Sequence, residues 1–246
     1  MSIKEMKTKA LSSLKGNWPI MIIIMIIYGI LMTVFPSLIL LLIGGPLVCG
    51  LCMVIMQVVR TQKVNGIVDL FSGFYYFVQS FLMYLLMAIF IGIGLILFII
   101  PGIIVAYGLS LAPYLLSDDP SKGAMNCIKE SWALMKGNKW RKFVLDLSFI
   151  GWWILAMIPS IIILSVSGAL SVNGPNVAQT VQNGSAVKPA VFNIISSFGA
   201  GAAAVIASII TLVLVEILLT YQRTTQGVFY DDVKGSAVQS APASEV

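Results

Sequence analysis

Long apolar runs separated by short polar stretches occupy most of the chain from residue 19 to residue 221. A transmembrane helix needs about 20 mostly apolar residues, and six runs reach or approach that length. The predicted spans are 19–35, 38–59 (or 46–59), 78–100, 103–116, 143–166 and 191–221. The pattern therefore predicts an all-α, polytopic helical membrane protein with about six transmembrane helices, forming a single domain over residues 1–233.

The third and fourth spans share one uncharged run, residues 78–116. As a single helix, this run would extend about 58 Å, nearly twice the hydrocarbon core of about 30 Å. Pro101-Gly102 predicts the turn, and a bend and a kink are expected at Gly44-Gly45-Pro46 and Pro159. The fourth span is short, so a tilted or partly buried hairpin remains an alternative to two full spans.

Three shorter segments have the pattern of helices that lie at a membrane surface. Residues 2–15 and 121–136 place apolar residues on one side of a helix and lysines on the other. Residues 64–77 carry the aromatic cluster FSGFYYF, which favours the headgroup level. The polar stretch 167–190 predicts an exposed loop, and residues 234–246 have the composition of a disordered tail.

Basic residues are divided very unevenly between the two sides of the membrane that six spans define. The loop side has only Lys188. The other side receives Lys4, Lys7, Lys9, Lys15, Arg60, Lys63, Lys122, Lys129, Lys136, Lys139, Arg141, Lys142, Arg223 and Lys234, which are 14 of the 15. The positive-inside rule then places both termini and the tail in the cytoplasm. Five or seven spans would break this partition.

Composition excludes a soluble domain and several kinds of chemistry. Hydrophobic residues make up 59% and charged residues 10% of the chain, against roughly 45–50% and about 25% in soluble domains. The net charge is +5. We expect the basic residues to set the orientation of the protein in the lipid bilayer and to contact anionic headgroups, not to bind nucleic acid. No histidine is present to build a His-dependent triad or a His-ligated zinc site.

Other motifs of catalysis are also missing from the sequence. Neither a G-x-x-x-x-G-K-[ST] phosphate loop nor a G-x-S-x-G elbow occurs. Cys49 and Cys52 have redox spacing but lie in an apolar run, which favours core packing, as it does for Cys127. The chain is therefore not expected to be an enzyme, and no catalytic residue, cofactor or metal ligand is assigned.

A few polar residues fall inside the predicted spans, where they are costly and often functional. The candidates for an intramembrane polar site are Glu216, Asp146, Tyr107 and Tyr114, with Ser110, Asn193 and Thr211 beside them in sequence or span. Glu216 is the deepest charge and is expected either to fix helix packing or reach the cytoplasmic interface, or to bind a proton or cation.

A short pattern occurs twice. Residues 14–18 (LKGNW) introduce the first span and residues 135–140 (MKGNKW) the fifth, and RTQ at 60–62 is matched by RTTQ at 223–226. Both copies start on the same side, so a duplication would be parallel, about an axis along the membrane normal. The alternative is that a basic residue and a tryptophan mark any cytoplasmic helix start.

Several motifs together carry a family resemblance. They are Gly45-Pro-Leu47, Leu70-Phe-Ser-Gly-Phe74, Pro101-Gly-Ile-Ile104, residues 131–137 (SWALMKG), residues 147–152 (LSFIGW) and Phe229-Tyr230. With them, most of residues 10–232 resembles a bacterial integral-membrane family known only as a domain of unknown function, number nine-seven-five. The resemblance implies a multi-pass protein of the bacterial cytoplasmic (plasma) membrane and brings no reaction or cofactor. The long loop 167–190 departs from the family pattern.

The sequence is compatible with two functions. The first is a non-enzymatic membrane component with an accessory, envelope-homeostasis or protective role, with other membrane proteins or a second copy of the chain as possible partners. The second is a small permease or efflux transporter with a path between the spans. The first is favoured, because a coupled transporter usually needs several polar groups inside the membrane and only one carboxylate lies well inside a predicted span.

Overall fold

The computed structural model describes residues 1–34, 37–172 and 187–240, and these residues are helical and contain no strand. In chain order, α1 to α9 are Ile3–Leu14, Trp18–Val34, Ser37–Thr61, Phe77–Leu97, Ile99–Leu109, Ala112–Asp118, Ala124–Leu134, Lys139–Val172 and Val187–Ser240. Two 3₁₀ helices cover Ile67–Tyr76 and Pro120–Lys122. The predicted all-α fold class is confirmed.

Four segments of the described chain are long and apolar enough to cross a membrane. They are Ile39–Thr61, Ile67–Leu97, Ile99–Asp118 and Lys139–Pro159. Helices α1 and α2 make a fifth if they form one span, although they are bent by 99° at their junction. The sixth predicted span, 191–221, falls within α9, but its side chains at 191–204 and 206–208 lie outside the described part, so that span stays a prediction.

The turn in the long uncharged run lies before Pro101, not at Pro101-Gly102 as predicted. Helix α4 ends at Leu97, and Phe98 is extended, with φ −162° and ψ 150°. Pro101 is then in the first turn of α5, where the N–H it lacks would have no partner within the helix. Gly94 meets Gly102 across the turn, where an added Cβ on Gly94 would lie 2.9 Å from the Gly102 Cα. Two glycines at the contact let α4 and α5 fold back closely.

The predicted bend at Gly44-Gly45-Pro46 is wrong in that α3 continues through it with Pro46 inside the helix. This part of α3 is packed backbone to backbone on its neighbours. Gly45 abuts the carbonyl of Ser80 in α4, and Gly73 of the 3₁₀ helix Ile67–Tyr76 abuts the carbonyl of Pro46. Tight packing on both sides holds the helix together where local sequence predicts a break.

Two predicted boundaries around the last helices also differ from the structure. The predicted loop 167–190 is shorter at both ends, because α8 runs to Val172 and α9 begins at Val187; its residues 173–186 lie outside the described part. Helix α9 also continues through Ser240, past the predicted start of the tail at 234, and residues 241–246 lie outside the described part.

Helix α7 has most of the apolar stripe predicted for residues 121–136: Ala124, Ile128 and Met135 are buried, whereas Trp132, predicted on the same stripe, is 42% exposed. Ala124, Cys127, Ile128 and Ser131 are buried. The Ser131 hydroxyl donates to the carbonyl of Gly108 at 2.9 Å and accepts from the N–H of Leu111 at 3.2 Å. A side chain of α7 therefore satisfies backbone groups that the break between α5 and α6 exposes.

The repeated sequence pattern forms the same turn in both places. Gly16 between α1 and α2 and Gly137 between α7 and α8 each have φ +88°. The asparagine after each glycine precedes a long helix and accepts its first hydrogen bond, Met21 N–H to Asn17 and Lys142 N–H to Asn138, each at 3.0 Å. Aligned on this turn, Met21 and Lys142 occupy equivalent positions.

The chain forms two compact units. The first comprises Met1–Ser148 and Leu219–Val246, and the second comprises Phe149–Leu218. The first unit contains the charged and polar groups described next. The assignment of residues 1–233 to a single domain stays a prediction.

Candidate functional site

Charged and polar side chains from three distant parts of the first unit meet around Asp118, in a group that we call the Asp118 cluster: Arg60, Asp118, Tyr230, Asp231 and Lys234. Asp118 accepts hydrogen bonds from Arg60 at 2.6 Å, from the Tyr230 hydroxyl at 2.9 Å and from Lys234 at 2.5 Å. Arg60 also pairs with Asp231 at 2.7 Å. The end of α3, the end of α6 and the last turns of α9 are thereby tied together.

A second group of ion pairs fixes the beginning of the chain. The N-terminal ammonium of Met1 lies 3.1 Å from Asp232, and Arg141 lies 2.6 Å from the other carboxylate oxygen of the same residue. Arg141 also donates to the carbonyl of Met1 at 2.8 Å. Burial would raise the pKa of Asp232, but the hydrogen bonds from Arg141 and the N-terminal ammonium outweigh burial and lower it.

Tyr230 connects these ion pairs to the interior. Its side chain is fully buried, and its ring stacks on that of Tyr114 with centroids 5.4 Å apart. Burial, followed by the hydrogen bond donated to Asp118, raises the pKa of Tyr230, so the phenol keeps its proton and remains a donor. The motif Phe229-Tyr230, noted in the sequence, is thus a packing and hydrogen-bonding element.

On the other side of Tyr114 lies a cavity of about 270 Å³, enclosed by α2, α3, α4, α6, α8 and α9 together with the break between α5 and α6. Two cations line it, Lys142 of α8 and Arg223 of α9. Tyr28, Ser110, Tyr114 and Gln226 line it as well, together with apolar residues and Cys52. We call this space the Lys142–Arg223 cavity.

The two cations of the cavity differ from those of the clusters, because the ion pairs among the described residues include neither of them. Lys142 is only 5% exposed. Asp146, one helical turn further along α8, accepts a hydrogen bond from the Gln226 amide at 3.3 Å. One carboxylate therefore stands near two positive charges, and the cavity keeps a net positive charge.

The structure brings together some of the predicted intramembrane polar residues and separates others. Tyr114 lines the Lys142–Arg223 cavity, and Asp146 is held beside it by Gln226. Tyr107 lines a different, apolar surface recess, with its ring centroid 6.1 Å from that of Phe143, but its hydroxyl also interacts with the carboxylate of Asp146. Glu216 is half-buried and belongs to the second unit, whereas the other three belong to the first. The four residues therefore do not form one site.

Sequence reasoning missed Lys142, Arg223 and Gln226 as members of a site. Lys142 and Arg223 counted only as orienting charges, because each lies beside an apolar run in a basic segment. One signal was available for Lys142: the repeat aligns it with Met21, which is fully buried. A lysine at the position of a buried methionine is predicted to be buried too.

Lysines and tryptophans are grouped on α7, on the turn that follows it and at the start of α8. They are Lys129, Trp132, Lys136, Lys139 and Trp140. The Lys139 ammonium lies 3.5 Å from the ring centroid of Trp132, a cation–π contact. Trp140 is 72% exposed, and Lys129 and Lys136 are exposed. We call this surface the lysine–tryptophan belt.

The three cysteines of the chain are buried and free. Burial raises the pKa of Cys127 to about 11, so its thiol keeps its proton at neutral pH and is a poor nucleophile. Cys52 contributes an apolar wall to the cavity. Among the described residues, no group of three or more acidic or cysteine side chains could hold a metal ion.

The fold and its charged end define an all-α protein with four or five described segments apolar enough to cross a membrane. The family model described as "Protein of unknown function (DUF975)" matches residues 92–237, more than half of the chain, and the chain belongs to that family. No curated protein and no solved structure matches the chain. The match is shorter than the resemblance to residues 10–232 and leaves Gly45-Pro-Leu47 and Leu70–Phe74 outside it.

Proposed function

We propose that the chain is a non-enzymatic multi-pass protein of the bacterial cytoplasmic membrane with an accessory, envelope-homeostasis or protective role. Both termini lie in the cytoplasm, where 14 of the 15 basic residues would gather if the six predicted spans form. The observation that carries the proposal is the lysine–tryptophan belt, because it is a surface suited to anionic lipid headgroups.

The belt combines two groups that favour the same depth in a bilayer. Indole rings favour the boundary between headgroups and acyl chains, where Trp132 and Trp140 would anchor the protein. Lysines at that level attract anionic lipids, at about 1 kcal/mol each near the surface. The face of α7 opposite the belt is buried in the first unit, so headgroup contacts would be transmitted to the bundle through Ile128 and Ser131.

The proposal is tested by complementation of a deletion strain. We expect deletion to raise sensitivity to a membrane-active toxic peptide and the wild-type gene to restore resistance. The double variant Lys129→Gln/Lys136→Gln should restore much less, since two headgroup contacts of the belt are lost. The matched control, Lys15→Gln/Lys63→Gln, removes two exposed lysines outside the belt and should restore fully. Equal complementation by both variants at equal membrane levels would overturn the role of the belt.

A second candidate function, a small permease or efflux protein, is favoured by the Lys142–Arg223 cavity. A polar cavity among apolar helices is what a substrate path between spans requires. Uptake or export of a fluorescent anionic dye by proteoliposomes of the purified protein would support this candidate. A protein that protects cells but moves no dye supports the accessory role instead.

A further inference from the structure

We propose that the Lys142–Arg223 cavity is a binding site for a phosphate group, carried either by free inorganic phosphate or by a lipid headgroup. The site goes beyond the proposed function, because it assigns a ligand to the interior of the first unit. It can be decided by binding to the purified protein, without any phenotype of the belt.

The first argument is that two cations, the buried Lys142 and the half-buried Arg223, line one cavity and form no ion pair among the described residues. Every other arginine in this unit, Arg60 and Arg141, has a carboxylate partner within 2.7 Å. Lys142 and Arg223 occur in none of the ion pairs of the described residues, and Asp146 supplies one negative charge against two positive charges. Placing like charges together away from water is unfavourable unless an anion compensates them.

The second argument is that the local fold does not require a lysine at position 142. Met21 holds the equivalent position after the same Gly-Asn turn and is fully buried, with 0% exposure. A methionine therefore satisfies the packing of this turn at the first copy. At the second copy, Lys142 therefore adds a positive charge that packing does not require, and this residue lines the cavity.

The third argument is the chemistry of the lining. Arginine presents a planar fork of donors that matches two phosphate oxygens, and lysine adds a point charge for a third. Tyr28 and Tyr114 line the same space, and a phenol hydroxyl can donate to an oxyanion, whereas the hydroxyl of Ser110, which also lines it, already donates to the carbonyl of Tyr107 at 2.7 Å. The volume of about 270 Å³ lies just below the roughly 300–1,000 Å³ typical of ligand pockets, so the site suits a compact anionic group.

The experiment measures the thermal stability of the purified full-length chain in a neutral maltoside detergent after removal of lipid. Inorganic phosphate is added at constant ionic strength against chloride, and short-chain phosphatidylglycerol is added in a parallel series. We expect at least one of the two to raise Tm by several degrees, because a ligand that binds only the folded protein stabilises it. A rise with inorganic phosphate identifies a free-anion site, and a rise with the lipid alone identifies a headgroup site.

The variants Lys142→Met and Arg223→Gln each remove one cation and should lose most of that rise, whereas Lys63→Met, an exposed lysine outside the cavity, should keep it. Without ligand, Lys142→Met should melt at or above the wild-type temperature, since an uncompensated buried charge is gone. Lys142→Arg keeps the charge and should retain binding.

Two results would overturn the proposal. One is a wild-type Tm that neither phosphate nor phosphatidylglycerol changes relative to chloride. The other is a rise in Lys142→Met and Arg223→Gln equal to that of the wild type, which would place the anion elsewhere. If Lys142→Met does not fold, the result with Arg223→Gln decides whether the proposal stands. The belt variants test the envelope role separately, so either proposal can fail without the other.

Discussion

The two arginines that follow the repeated pattern, Arg60 in RTQ and Arg223 in RTTQ, have opposite surroundings. Arg60 at the end of α3 pairs with Asp118 at 2.6 Å and with Asp231 at 2.7 Å. Arg223 in α9 lines the cavity with Lys142 and forms none of the ion pairs of the described residues. Similar sequence therefore supplies one arginine that holds helices together and one that lines a cavity.

This difference separates charges by their role. A partly buried cation with carboxylate partners stabilises the helices that supply those partners, and its loss leaves the carboxylates unpaired. A buried cation without such a partner costs free energy in the empty protein, and its loss relieves that cost. Removing each cation should therefore change stability in a way that reveals its role.

The largest effect is expected from Asp118→Asn, which removes the centre of the Asp118 cluster. Three donors, Arg60, Tyr230 and Lys234, lose a charged acceptor, so we expect the free energy of unfolding to fall by about 2–3 kcal/mol. Reversible denaturation in mixed micelles measures this loss. The neighbouring Asp119→Asn is the control, because among the described residues the Asp119 carboxylate accepts hydrogen bonds only from Ser121, so this variant should stay close to wild type. Equal losses in both variants would show that the cluster contributes nothing specific.

A smaller effect separates the two arginines directly. Arg60→Gln should lower the free energy of unfolding by about 1 kcal/mol, less than Asp118→Asn, because the Arg60 side chain is 41% exposed and solvent screens it. Arg223→Gln should change it by less than about 0.5 kcal/mol or raise it, since no ion pair is lost. The same denaturation experiment compares the two variants. If Arg223→Gln proves the more damaging, the cavity arginine has a structural partner and the contrast fails.

The smallest effect is a pH dependence from Asp232. Its pKa is lower in the folded protein than in the unfolded chain, so its stabilisation is complete above the unfolded value of about 3.9 and is lost as pH falls through the folded value. Melting curves of wild type and Asp232→Asn should differ by about 0.5–1 kcal/mol near pH 6. The difference should shrink below about pH 4. Parallel curves over the whole range would contradict this role.

The placement of the apolar spans and of α7 could be predicted, because both depend on local patterns. Length and hydropathy determine whether a segment can cross a membrane, and the spacing of Ala124, Ile128 and Met135 determines which side of α7 is buried, although Trp132, predicted on the same stripe, is exposed. The turn at Phe98 and the unbroken α3 at Pro46 could not be predicted from local preference. Each depends on which backbone approaches the segment from elsewhere in the chain, through contacts such as Gly94 on Gly102.

For the candidate site, the sequence could give a list of polar residues but not their grouping. Tyr114 lines the cavity, Asp146 lies beside it and Tyr107 contacts Asp146 from a different recess, whereas Glu216 belongs to the second unit. The predicted list contained residues whose cost in lipid is evident from sequence alone. Lys142 was absent from it, because a lysine at the edge of an apolar run usually extends to the surface.

By itself, the sequence determined that this chain is an all-α protein of apolar helices with a basic end, because composition and periodicity act residue by residue. It also determined the repeated turn, because glycine at Gly16 and Gly137 permits a positive φ that other residues avoid. Only the tertiary structure decided which charges pair. Arg60 and Asp231 are 171 positions apart, and the distance between two side chains so remote in sequence depends on how the intervening helices pack. For the same reason, the packing leaves Lys142 and Arg223 together at a cavity, with no carboxylate partner among the described residues.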